Sequence, residues 1–151
     1  MDIREQLRRD HTRALAELDG IARESDAHRS LVRLARLRRA WMIHALAEES
    51  VVYRSVESAA PAHRADERFV EHELVEELFE KMARTRPGTL EWQARINVVR
   101  EIMARHTEAE EGSLFVDLAE RYEAEELVEM GRNFVLARDK LTLLEEAKKA
   151  A

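Results

Sequence analysis

The sequence predicts an all-α protein, an antiparallel up-and-down four-helix bundle carrying an additional C-terminal helix. Composition is the first ground. Hydrophobic residues make up 45% and charged residues 37%, with only 4 Gly and 2 Pro, a mixture of Ala, Leu, Glu and Arg with few helix breakers. Periodicity is the second: apolar residues recur near every 3.6 positions along almost the whole chain, and no period-2 run of strand length competes. The third is the shortness of the breaks, which makes consecutive helices antiparallel neighbours. At 151 residues the chain has the size of one ordinary domain. It reads as a single domain over 1–151, with a core bundle over about 1–121 and a C-terminal helix over about 123–149.

The first helix carries Ile3, Leu7, Ala14, Leu15, Leu18 and Ile21 on one face and weakens after Gly20, where the polar connection ARESDAH follows. The second runs from about Arg29 to Ala60, with Leu31, Leu34, Leu37, Trp41, Val51 and Val52 as its stripe. Pro61 ends it, because proline lacks the backbone donor and disfavours helix in the residue before it. The third covers about Ala65 to Arg84, with Phe69, Val75, Phe79 and Met82 inward. TRPGT is the clearest turn signal. The fourth runs from about Leu90 to Arg121 and turns Trp92, Ile96, Val99, Met103, Leu114 and Leu118 inward. The last begins near Glu123, carries Leu127, Met130, Phe134, Leu141 and Leu144, and is expected outside the four core helices or across one end.

Several function classes are disfavoured at once. With no cysteine, disulfides, thiolate metal sites and cysteine nucleophiles are impossible, leaving His, Asp and Glu as the strong ligands. No stretch approaches the roughly 18 uninterrupted apolar residues of a membrane span, and the charged start MDIREQLRRDH has no apolar signal region. A cytoplasmic protein with no membrane partner is expected. The net charge is −6. The one basic run, RLARLRR over 33–39, alternates with Leu34 and Leu37 as the solvated face of an amphipathic helix does. An acidic chain without aromatic interleaving is a poor phosphate-backbone binder, so no nucleic-acid partner is expected.

The histidines are the informative residues. Of six, His11, His44, His72 and His106 each fall on the apolar stripe of a different helix. His28 lies in the first connection and His63 follows Pro61, so both are expected in solvent. One core-facing histidine is usually a satisfied core residue. Four on four neighbouring helices are costly to bury unless something ties up their nitrogens, and a metal does so directly. Glu48 and Glu110 each follow a histidine by four residues, one turn on along the same face. The adjacent Glu49 and Glu111 point further round and fit an exposed face. Glu76, four after His72, faces inward and is ambiguous.

An internal repeat ties these together. His11 to His44 is 33 residues and His72 to His106 is 34. HALAEESVVY, from His44, aligns with HTEAEEGSLF, from His106, sharing His, Ala, Glu, Glu and an aromatic at the tenth position. DHTRALAEL and EHELVEELF match in pattern. Two helix hairpins, each with one lone His and one His-x-x-x-Glu pair, bring four imidazoles and two carboxylates together around a pseudo-twofold axis. Carboxylates can bridge two cations, so the inventory suits a dinuclear site.

His11, His44-x-x-x-Glu48, His72 and His106-x-x-x-Glu110 together resemble the hemerythrin/HHE cation-binding domain, over about residues 8 to 135. The acidic-His openings at Asp10-His11 and Glu71-His72 agree, as do the Glu-Glu-x-x-x-aromatic tails. Arg54 and Val116 stand where members of that family often have proline. The resemblance implies two non-haem iron ions with a bridging oxygen species, held by His11, His44, His72 and His106 and bridged by Glu48 and Glu110. It implies a small-molecule partner: dioxygen, nitric oxide or peroxide. Oxygen carriers of the family have a further histidine one turn after the third-helix ligand, where this chain has Glu76, so reversible oxygen storage is not the expectation. Binding or sensing of a diatomic molecule is the leading reading. A di-iron enzyme acting on peroxide or nitric oxide or handling iron is the alternative, and a metal-free helical interaction domain ranks last.

Overall fold

The computed structural model describes residues 1–57 and 63–150. Helix α1 spans Ile3–Arg23 and α2 spans Ala27–Glu48; a π-helical turn, Glu49–Tyr53, leads into the short α3, Arg54–Glu57. Helix α4 spans His63–Ala83 and α5 spans Leu90–Ala109. A second π-helical turn, Glu110–Leu114, leads into α6, Phe115–Arg121, and α7 spans Ala124–Ala150. The Pro61 stop and the exposure of His63 fall outside the described residues and side chains.

Local chemistry accounts for the starts. The Asp2 side chain accepts from the backbone N–H groups of Arg4 and Glu5, and Glu5 returns a bond to the Asp2 N–H, closing a capping box at α1. Asp26 caps α2 by accepting from Arg29 N–H. The first connection therefore shrinks to 24–26, and His28 sits exposed in the first turn of α2 rather than in the link. Thr89 caps α5 through Trp92 N–H. Just before it, Gly88 takes φ +81°, a value L side chains rarely adopt.

Helices α1, α2, α4 and α5 contact one another in cyclic order, α1 with α2, α2 with α4, α4 with α5 and α5 with α1, as expected of an up-down bundle. Helix α7 packs outside, against α1 and α2. Its approach requires Gly131: a Cβ there would stand 2.6 Å from the Met1 carbonyl oxygen. Leu127, Met130 and Phe134 are buried beneath α7. Leu144, expected inward, is 50% exposed: ten residues after buried Phe134, it stands about 80° round the helix from that face.

The core is divided in two. One apolar cluster gathers Ile3, Leu7, Val52, Leu114, Leu118 and Phe134 among others. A second gathers Leu18, Leu34, Val75, Phe79, Ile96 and Met103 among others. Between them lies a layer of buried polar side chains: His11, His44, Glu48, His72, His106 and Glu110. The chain reaches this layer at corresponding heights on α1, α2, α4 and α5 because each helix interrupts its apolar stripe there. Among the described residues, no helix is long and apolar enough to cross a membrane.

Candidate metal centre

All six side chains picked out by the sequence pattern converge. The Nε2 atoms of His11 and His44 are 3.2 Å apart, and those of His72 and His106 are 3.3 Å apart. Each hairpin thus contributes one imidazole pair. The carboxylates join the pairs: a Glu48 oxygen is 3.6 Å from His44 Nε2 and 3.7 Å from His72 Nε2. A Glu110 oxygen is 3.4 Å from both His11 Nε2 and His106 Nε2. His11, Glu48, His106 and Glu110 present donor atoms that all lie within 4.8 Å of one another. Two nitrogens about 2.1 Å from one cation, at a right angle, stand about 3 Å apart, so each imidazole pair has the spacing of donors to a shared ion.

Burial makes the arrangement chemically demanding. Glu48 and Glu110 are fully buried, as are His11 and His106 to within 1%. Desolvation, then the neighbouring Glu110 carboxylate, pushes the Glu48 carboxyl well above its ordinary range. Desolvation, then the other imidazoles, pushes His11 well below its ordinary value, and desolvation lowers His72 as well. Without a cation the centre is driven toward neutral side chains; a bound cation reverses the tendency of the carboxyls and reinforces that of the imidazoles, which ligate in the neutral form. Glu48 Oε1, Glu110 Oε2 and His11 Nδ1 are buried with no hydrogen-bond partner, and orphaned buried oxygens of this kind need an explanation. The site is a buried His/Glu cluster capable of coordinating a metal ion, and these residues fit one.

Two imidazoles are hydrogen-bonded to carboxylates at Nδ1, which holds the proton there and leaves the Nε2 lone pair facing the cluster. His72 Nδ1 is 2.8 Å from Glu49 Oε1 and His106 Nδ1 is 3.0 Å from Glu71 Oε2. His44 Nδ1 lies 3.5 Å from Asp10 Oδ2, near enough for charge attraction but without a hydrogen bond. Burial pushes the Asp10 and Glu71 carboxyls up. The His44 and Arg138 contacts of Asp10, and the His106 and Arg105 contacts of Glu71, outweigh it and hold both below their ordinary values. Glu49 is therefore not the exposed residue its helical angle implied. Glu111 is closer to that expectation and bonds Arg8 at 3.0 Å.

Two residues at the centre escaped the sequence reading. Tyr53 donates its hydroxyl to Glu110 Oε1 at 2.5 Å, lies 3.3 Å from Glu48 Oε2, and stacks on His72 with ring centroids 6.0 Å apart. Desolvation, then the two carboxylates, pushes its phenol well above the ordinary range. The phenol is a proton donor to the cluster and, deprotonated, a further oxygen available to a cation. Arg68 places Nε 3.8 Å from Glu110 Oε1 and bonds Ser113 Oγ at 2.9 Å. Tyr53 had been visible only as the aromatic of the repeat; nothing in the pattern around Arg68 distinguished it.

The π-helical turns explain why Tyr53 arrives. In a regular α-helix a residue five positions on points well away from the first, whereas an i→i+5 turn brings it back over the same face. The first turn follows Glu48 directly, so Tyr53 returns to it. Glu76 behaves differently: Arg38 holds it with bonds of 2.7 and 2.5 Å. It joins none of the contacts that link the six clustered residues.

Residues 2–118 match the family model of the hemerythrin HHE cation-binding domain. A curated relative, a DNA nickase of Nostoc sp. (strain PCC 7120), is 23% identical over 141 residues. That match covers 93% of this chain, which spans 40% of the length of the nickase. No solved structure matches. With its family model covering most of the bundle and the pattern's six residues in one buried layer, the chain belongs to the hemerythrin HHE cation-binding domain family.

Proposed function

We propose that the cluster holds two iron ions and that the chain there binds or senses a small molecule such as dioxygen or nitric oxide. The observation that carries this reading is the cross-linking of the two imidazole pairs by carboxylates. Glu48 reaches His44 and His72, and Glu110 reaches His11 and His106. In this reading His11 and His44 would hold one ion, His72 and His106 would hold the other, and Glu48 and Glu110 would contribute to both. Nitrogen and carboxylate donors without thiolate suit iron, manganese or zinc, and the family favours iron. An iron pair, when bound, supplies Lewis acidity and electrons toward a diatomic molecule or peroxide.

The chain's own residues do the rest. Glu49, Glu71 and Asp10 orient the imidazoles, and Arg138 and Arg105 in turn hold Asp10 and Glu71. The two apolar clusters keep bulk water from either side of the polar layer. With Glu76 committed to Arg38, the chain offers four imidazoles, fewer than an oxygen carrier has, and room is left for an exogenous ligand. The alternative, a di-iron enzyme for peroxide or nitric oxide detoxification or iron handling, is favoured by Tyr53. Its hydroxyl oxygen stands 2.5 Å from Glu110 Oε1, where a turnover cycle can use its proton.

Stopped-flow optical spectra of the reduced, iron-loaded chain mixed with dioxygen, nitric oxide or peroxide separate the two. A saturable change that reverses when the gas is removed supports binding. Sustained consumption of peroxide or nitric oxide supports the enzyme. No spectral response to any of the three contradicts both. Supercoiled plasmid in a parallel reaction is expected to stay closed; nicking would assign this chain the activity named in its longer relative.

A further inference from the structure

A cleft of about 780 Å³ opens between α1, α2 and α7, on the outer side of His44. Its volume lies within the roughly 300–1,000 Å³ of small-molecule sites. The space exists because alanines line it where larger side chains would fill it: Ala14 and Ala16 on α1, Ala40 on α2. Leu37, Ile43 and the Trp41 ring complete an apolar floor, and Trp41 in turn stacks on His44 with centroids 5.5 Å apart.

The charges around this floor do not cancel. Glu17 is taken up by Arg33 through bonds of 2.8 and 3.1 Å, and Asp10 by Arg138 through bonds of 3.0 and 2.8 Å. Arg39 is turned toward α7, onto the Thr142 carbonyl and Glu146. Arg13 from one wall and Arg36 from the other remain, both exposed and neither with an acidic partner among the described residues. An apolar trough with two unanswered guanidinium groups complements an apolar body bearing one anionic group.

We propose that this cleft is a binding site for a medium-chain aliphatic carboxylate, its chain on the Leu37–Trp41 floor and its carboxylate on Arg13 and Arg36. The proposal does not rest on the di-iron reading. The test is titration of the full chain with decanoate, and separately with 1-decanol as the uncharged counterpart, followed by tryptophan fluorescence. Arg13→Glu with Arg36→Glu reverses the charge, and Ala40→Trp fills the trough. All three positions are exposed, and circular dichroism checks that the variants keep the fold.

Saturable quenching by decanoate is expected, with decanol weaker by about tenfold or more. Each variant should weaken decanoate by about tenfold or more. The proposal is overturned by absence of saturable decanoate binding, by a smaller margin over decanol, or by a smaller loss in either variant. The last outcome would place the ligand elsewhere on the surface.

Discussion

The two halves of the bundle are built from one pattern and finished differently. In the first half Asp10 precedes the lone His11 yet backs His44; in the second, Glu71 precedes His72 yet backs His106. Both halves place a carboxylate one turn after the paired histidine, and both open into a π-helical turn there. The symmetry ends at the next residues. Glu49 crosses to His72 Nδ1 at 2.8 Å, whereas its counterpart Glu111 is drawn to Arg8 and His11 Nδ1 is left without a partner. Tyr53 reaches Glu110 through its hydroxyl, whereas its counterpart Phe115 has none to offer and lies under Arg8.

The repeat supplies the frame of the centre, and single substitutions set its chemistry. Both imidazoles of the second half are held by carboxylates, which orients them and raises their basicity. Those of the first half are held loosely or not at all. Two ions bound by these halves should therefore differ.

The largest effect separates the shared residues from those of one half. Glu110→Ala should remove both ions, because Glu110 touches a histidine of each pair. His11→Ala should remove about one of the two, and metal analysis of the purified variants reads the difference. Equal loss from both variants would break the division into two half-sites.

Tyr53→Phe leaves buried Glu110 without its 2.5 Å donor. It should destabilise the metal-free chain by about 1–3 kcal/mol in denaturant unfolding, and it should alter the optical spectrum of the loaded chain. Phe115→Leu, at the same position of the other half, should leave metal content and spectrum unchanged. Glu49→Gln should weaken metal affinity by about 10–100-fold, while Glu111→Gln should leave it unaltered in a chelator competition. Glu76→Ala is the smallest change. It breaks a half-exposed pair with Arg38, should shift stability by about 0–1 kcal/mol, and should not change the metal bound per chain.

The frame was legible in the sequence because it is written in periodicity. His11, His44, His72 and His106 each stood on an apolar stripe, and the repeat set their spacing. Their common level follows once four helices pack side by side. Asp10 and Glu71 were visible as acidic neighbours of histidine, but not as partners of the other histidine in each half, since that depends on how α1 faces α2 and α4 faces α5. Tyr53 and Glu49 were obscured by the π-helical turns: a helix read at 3.6 residues per turn points Glu49 to solvent and carries Tyr53 away from Glu48. Arg68 enters the centre from the opposite helix with no local pattern to mark it. Leu144 was misplaced for a plainer reason: ten residues after Phe134 is not a whole number of turns, so it stands about 80° off the buried face although α2 still meets α7 at Thr142 and Glu146.

Iron analysis combined with Mössbauer spectroscopy of the iron-loaded chain tests whether the two halves of the bundle each hold an iron. About two iron atoms per chain are expected, giving two quadrupole doublets of equal area, one for each half of the bundle. A chain that saturates at one iron would contradict that expectation.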